Sequence, residues 1–270
     1  EAIEQGAQTI ILGLGGSATN DGGAGIVQAL GGRLLDSKGQ DDNGQELNRG
    51  GAALAELASI DLTGLDSRCA DVELIVACDV DNPLCGDNGA SHVFGPQKGA
   101  TPDQVLILDK ALANFAQIAE TQGSVGGDEP VQERTGYGAA GGTPMGLGLL
   151  FNMQIKPGIE MVLDVLQVDE VLKGADLVIT GEGQMDNQTL QGKTPYGIAK
   201  RASLQGIPTI GIAGSLGTEV EALYGEMSSL FGTVRSPQPL NQVLKEAEMN
   251  LTRTARNIAA TLKLGRKILS

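Results

Sequence analysis

The chain has 270 residues, 41% of them apolar and 19% charged, a balance that indicates a folded globular protein rather than a disordered one and gives room for one large domain or two smaller ones. Its 33 acidic residues outnumber 19 basic ones, for a formal charge of −14, and no Lys/Arg stripe tracks a phosphate backbone, so nucleic acid is excluded as an expected partner. No run approaches the ~18 apolar residues of a membrane span, and the opening EAIEQGAQ resembles neither a signal nor a transit peptide, which leads to an expectation of a cytoplasmic protein.

That opening reads as an amphipathic fragment running straight into a strand, Thr9–Leu14. The strand empties into the first of three glycine-rich stretches, GLGGSATNDGGAG over 13–25, followed by a helix over Ala24–Leu30. The chain holds 40 glycines, about twice the average of ~7%, and such a density is tolerated where backbone must turn with positive φ or lie against a ligand. Gly15, Gly16, Ser17, Asn20 and Asp21 are the candidate anion-binding residues here, at a helix amino terminus with free N–H groups; the competing reading makes Asn20 or Asp21 a helix cap.

A second strand, Val72–Ala77, leads into VACDVDNPLCGDNGASHVFGPQK over 76–98. Asp79 follows directly on the strand, where rigid support suits a carboxylate that accepts a proton from a substrate hydroxyl. Asp81, Asn82, Asp87 and Asn88 crowd the loop beyond it, oxygen donors suited to Mg²⁺ or, alternatively, an Asx-rich turn. His92 is the single histidine, so a multi-histidine zinc site is excluded. Cys69, Cys78 and Cys85 lack CxxC spacing and read as reduced, buried thiols.

A long helix is expected over Pro102–Thr121, then Arg134, a possible partner for a carboxylate or a surface residue, and the second glycine-rich stretch, 136–148, with Gly141 and Gly142 as candidate phosphate or carboxylate contacts. Next come a helix over Gly158–Leu172, a strand over Leu177–Thr180, and the third glycine-rich loop, carrying Gly181, Glu182, Gly183, Asp186 and Lys193. Lys193 precedes a helix over Pro195–Gln205 with proline well placed at its start, and a lysine there can reach a phosphate at the helix terminus, although GxxxxGK[ST] spacing is absent. Against this stands a plain surface lysine. Within an acidic chain, Lys98 and Lys193 are the cations expected to offset the field that repels anionic substrates. A strand over Thr209–Ala213, a helix over Glu219–Glu226, an apolar segment over Ser229–Val234 and a final helix from Leu240 to Ile268 complete the chain.

Alternating strands and helices argue for α/β architecture, divided into a glycine-loop-rich α/β domain over 1–155 and a Rossmann-like remainder over 156–270. Five segments, GLGGSATNDGGAG, VACDVDNPLCGDNGASHVFGPQKGA, GAAGGTPMGLG, VITGEGQMDNQTLQGKTPYG and TARNIAATL, together resemble the bacterial type-I glycerate kinase family. The resemblance implies two α/β domains enclosing a cleft, one of them Rossmann-like and present here in part. It also implies ATP-dependent phosphorylation of D-glycerate, usually to 2-phosphoglycerate, by a monomer or homodimer. Family members begin with roughly a hundred further residues bearing APDSFK-like and DGGEGT-like segments that do not occur here. In that scheme Asp79 meets the glycerate hydroxyl, Lys193 neutralises the transferred phosphoryl group, and Glu182, Asp186 or Asp87 holds Mg²⁺. Two rival readings are an NAD-linked dehydrogenase, weakened because no acidic residue closes a following strand at the right distance, and a non-catalytic sugar- or acid-binding protein.

Overall fold

A computed structural model describes residues 1–38, 44–190 and 192–269. Gln191, inside the third glycine-rich stretch, lies outside the described residues. The chain divides into two compact units, Glu1–Gly158 and Ile159 onward.

The first unit is built on a three-stranded parallel sheet of β1 (Thr9–Gly13), β4 (Glu73–Ala77) and β5 (Asn152–Lys156), with β4 in the centre. Ile11 pairs Ile75 and Ile75 pairs Gln154, so the carboxyl ends of β1 and β4 lie side by side. Between β1 and β4 run helix α1 (Ala24–Ala29) and a small antiparallel pair, β2 (Arg33–Leu35) with β3 (Ser59–Asp61). After β4 come the short α2 (Ala90–Phe94), the long α3 (Pro102–Thr121) and α4 (Thr143–Leu150). Helix α3 starts where its chemistry dictates: Thr101 and Gln104 form a reciprocal capping box and Pro102 occupies the first turn. Its buried face, Ala111, Leu112, Phe115, Ala116 and Ala119, follows helical spacing and packs with α1 and α4 residues in the main core.

The second glycine-rich stretch is not a loop. Residues 139–142 make a 3₁₀ turn and 143–150 form α4, a helix buried on nearly every side. Glycines read as a ligand cradle serve close packing instead. Gly146 donates its N–H to the Gly22 carbonyl at 2.8 Å, and a side chain at Gly141 would collide with the Thr19 carbonyl.

The second unit contains α5 (Gly158–Val165), which opens at the boundary residue, α6 (Val168–Leu172), and a parallel sheet of β6 (Val178–Met185), β7 (Thr209–Leu216) and β8 (Ser229–Gly232) in that order, with α7 (Thr194–Leu204) crossing from β6 to β7. Helices α8 (Leu240–Lys245) and α9 (Ala247–Leu269) end the described chain. The guanidinium of Arg201 on α7 ties this helix to Glu160 and Asp164 of α5 and to Asp169 of α6.

The structure corrects four expectations. Strand β6 does not stop at Thr180: it runs through Gly181 and Gly183 to Met185, because a glycine at 181 lets β7 approach where a Cβ would meet the Ile212 carbonyl. The helix expected over 158–172 breaks at Gln167, which adopts a left-handed φ of 51°, and the final helix breaks at Glu246 into α8 and α9. The helix expected over 219–226 is a 3₁₀ turn, Val220–Gly225.

Candidate active site

In the first unit, the loops leaving β1 and β4 wall a cleft of about 290 Å³. Gly15, Gly16 and Ser17 form one side, Cys78, Asp79 and Val80 another, and Lys98 with Ala140 closes it. This is the carboxyl edge of a parallel sheet, where α/β proteins characteristically place their ligands.

Asp79 is exposed at the end of β4, and its Oδ1 accepts the backbone N–H of Gly158 at 2.7 Å, the first residue of α5. A side chain at Gly158 would stand 3.3 Å from both carboxylate oxygens, so the glycine keeps that approach open. Cys78 beside it is buried; its thiol contacts the Val80 carbonyl at 3.2 Å, and burial raises its pKa above the usual thiol value.

Lys98 ends a 3₁₀ turn, Pro96–Lys98, that is closed by Gly99 in a left-handed conformation. Its Nζ donates to the Thr19 carbonyl at 2.6 Å, anchoring the far end of the first glycine loop. Burial lowers its pKa below the ordinary lysine value, with the field of Asp21 acting in the opposite sense. Ala140, with a left-handed φ of 48°, is one of three such non-glycine residues among those described, and it lies on the wall of this cleft.

Other nominated residues of this unit are occupied locally. Asp21 accepts from the Thr19 hydroxyl at 2.6 Å and from the N–H groups of Gly23 and Gly25, so its carboxylate holds the entry to α1. Asn20 donates to the buried Ser91 hydroxyl at 2.9 Å while its Oδ1 is buried without a partner. Asn82 donates from its side chain to the Asn88 carbonyl and accepts the Gly138 N–H on its own carbonyl, stapling the 82–88 loop. Asp87 is exposed on that loop. Gly141 and Gly142 are buried against the first loop and Leu84. Arg134 spends its guanidinium on the carbonyls of Gly126 and Glu129 and lies over the Tyr137 ring, 5.5 Å from its centre. His92 faces Asp109 at 3.6 Å and is not among the residues lining the cleft.

In the second unit the structure gathers three nominated residues. Lys193, the N-cap position of α7, lies 3.6 Å from Glu182 and 3.9 Å from Asp186. Each carboxylate is held by further bonds. Glu182 accepts from the buried Thr189 hydroxyl at 2.7 Å, and Asp186 accepts from the Gln184 side chain and the Gln188 N–H. Gly181 and Gly183 lie in β6 beside this cluster in sequence, and with Glu182 they also line a cavity of about 990 Å³ whose other walls include Ile212, Leu240 and Leu251. Among the described residues, no group of three or more His, Cys, Asp or Glu side chains is arranged to hold a metal.

What the sequence leaves unmarked is the convergence on the first cleft. Lys98 is legible only as a cation in an acidic chain, because its place in the same cleft as Asp79 depends on the Pro96–Lys98 turn meeting the first glycine loop, where Lys98 bonds the Thr19 carbonyl. Gly95, whose missing side chain admits the Ser91 carbonyl, is the local signal that permits this.

Against known proteins, residues 1–263 match the model of the glycerate kinase family. The chain belongs to the glycerate kinase family. The glycerate kinase of Bacillus subtilis strain 168 is 48% identical over 267 residues, covering 98% of this chain and 67% of that protein. The glycerate 2-kinase of Escherichia coli K12 is 44% identical over 266 residues, 98% of this chain and 68% of that one. A crystal structure from Salmonella typhimurium LT2, provisionally assigned as glycerate kinase 2, superposes with a TM-score of 0.74 at 46% identity and covers 98% of this chain and 67% of its own. This glycerate kinase family chain therefore spans about two thirds of the length of the relatives it matches. None of its described helices is long and apolar enough to cross a membrane.

Proposed function

We propose that this chain phosphorylates D-glycerate at the expense of ATP, giving 2-phosphoglycerate. The observation that carries the reading is the family match over residues 1–263, joined to a strand-end carboxylate, Asp79, on a small cleft of about 290 Å³ that it shares with a lysine and a glycine turn. The 2-position follows the name of the E. coli relative. A cytoplasmic setting, where ATP is supplied, is part of the same reading.

Phosphoryl transfer asks a protein chiefly for positioning and charge neutralisation. Asp79 is held by the Gly158 N–H through one oxygen, which leaves the other to accept a hydrogen bond from the substrate hydroxyl and to take its proton as the bond to phosphorus forms. In the second unit Lys193 is the cation for the phosphate chain. Glu182 and Asp186 fit Mg²⁺ as hard oxygen donors flanking one ammonium, in the number of carboxylates that this ion usually takes, and they do so better than the solitary, exposed Asp87. Mg²⁺, when bound, would supply charge neutralisation at the phosphates.

The test is ADP release from Mg-ATP that depends on D-glycerate, measured on the purified protein and on Asp79→Asn. The expected result is turnover in the parent and a loss of about 10²–10⁴-fold in kcat for the variant, with an unchanged melting temperature. Unaltered turnover in the folded variant removes Asp79 from the role. The absence of glycerate-dependent ADP release in the parent overturns the kinase reading, and binding of D-glycerate without Mg-ATP binding would favour a binding protein.

A further inference from the structure

We infer that Lys98 and the turn Gly15-Gly16-Ser17 form the subsite for the carboxylate of the acid substrate. This rests on the reading of the cleft as an acid-binding site.

Four observations carry it. First, Lys98 is a half-buried ammonium in a chain of net charge −14, yet no described carboxylate comes within ion-pairing distance of it. Its bonded partner is a neutral carbonyl, that of Thr19. Lys38, Lys173, Lys193, Arg68, Arg201 and Arg235 all have acidic partners. Asp21 acts on it only through space, so a partly desolvated cation is left without an ion-pair partner, and two of its three N–H groups are still to be used. An anion entering the cleft supplies what is missing.

Second, the glycines of this turn differ from those behind it. A side chain at Gly22, Gly23, Gly141 or Gly142 would strike neighbouring atoms, whereas the Cβ positions of Gly15 and Gly16 meet nothing within 4 Å. Packing does not require glycine at these two positions. They leave bare backbone on the cleft wall, with Gly16 in a left-handed turn at φ 68°, and the N–H groups of residues 15–17 have no backbone acceptor among the described residues. Third, the volume of about 290 Å³ lies at the bottom of the range for ligand pockets, which suits a three-carbon acid and is small for a nucleotide. Fourth, the alternative cation is spent: Arg134 is bound to the Gly126 and Glu129 carbonyls and does not line the cleft.

With Lys98 on the carboxylate and Asp79 on the same cleft, a hydroxy acid would be gripped at its anionic end while its hydroxyl meets the carboxylate of Asp79. The acidic group thereby chooses its orientation, and a neutral analogue lacks the handle.

The experiment compares D-glycerate with its uncharged amide, glyceramide, in the parent protein, Lys98→Gln and Lys98→Arg, reading KM for each acceptor, KM for ATP and the melting temperature. The parent is expected to favour D-glycerate. K98Q is expected to lose about 10–100-fold of that preference, through KM for D-glycerate and not KM for ATP, with K98R recovering part of it. A second measurement needs no variant: D-glycerate, but not glyceramide, should shield Lys98 of the parent from amine acylation, followed by peptide mass spectrometry. Preference unchanged in folded K98Q, or Lys98 labelled equally with and without D-glycerate while D-glycerate binds, overturns the assignment and leaves the kinase reading standing. Shielding of Lys98 by D-glycerate without ADP release upholds the subsite and overturns the kinase reading. No binding and no turnover overturn both.

Discussion

Cys85 shows how far a single side chain can be moved by its surroundings. Burial, with the nearby Asp109 as the lesser cause, pushes its thiol from the usual 9.0 up to about 12. The unfolded chain therefore ionises at Cys85 near pH 9 while the folded chain holds the proton until about 12, so the stability it contributes is complete below pH 9 and is lost as the pH rises toward 12. Two outcomes are expected. The urea midpoint of the parent falls more between pH 9 and 11 than that of Cys85→Ala, and native Cys85 resists alkylation at pH 9. Labelling at the rate of a free thiol would disprove the shift. The same dependence on surroundings separates Lys98 from Arg134. Both are single cations beside glycine-rich sequence, and only the folded path of the chain leaves one with free donors in a cleft and gives the other three local partners.

At the level of elements, glycine carries two different messages. Gly141 has φ 68° and lies where a Cβ would enter the Thr19 carbonyl; Gly183 in β6 has open space around its Cβ position and no positive φ. Gly141→Ala should therefore destabilise the protein by about 2–4 kcal/mol, from left-handed strain and overpacking. Gly183→Ala should stay within about 0.5 kcal/mol. Urea unfolding of the two variants checks both, and equal costs would refute the distinction. The elements that sequence reveals are those with strong internal patterns: α3, whose cap and apolar face are both local, keeps its expected bounds of 102–121, and β4 and β7 are apolar runs between turn residues. The missed elements lack that signal. Strand β5 reads NMQIK and α4 reads TPMGLGLL, and each exists because a neighbour covers it, β4 in one case and α1 with α3 in the other. Helix breaks at Gln167 and Glu246 were illegible for the same reason, since neither residue is a helix breaker by itself.

For the molecule as a whole, a charge of −14 opposes the approach of any anionic substrate, and Lys98 and Lys193 act only at short range. The long-range repulsion is screened as the Debye length shrinks from about 30 Å at 0.01 M salt to about 10 Å at 0.1 M. Raising monovalent salt over that interval should lower the apparent KM for D-glycerate, the reverse of what a basic enzyme shows with an acid; a rise in KM would mean that the local cations dominate the field. By itself the sequence determined the α/β class, the strand-end position of Asp79, the family resemblance and the grouping of Glu182, Asp186 and Lys193, because apolar periodicity and short motifs are local and these residues lie within one stretch of twelve along the chain. Only the tertiary structure decided which glycines line an open cleft and which merely let backbones touch, and that Lys98 shares that cleft with Asp79. Those outcomes depend on which segments, far apart in sequence, come to occupy the same space, and residue type alone does not specify that.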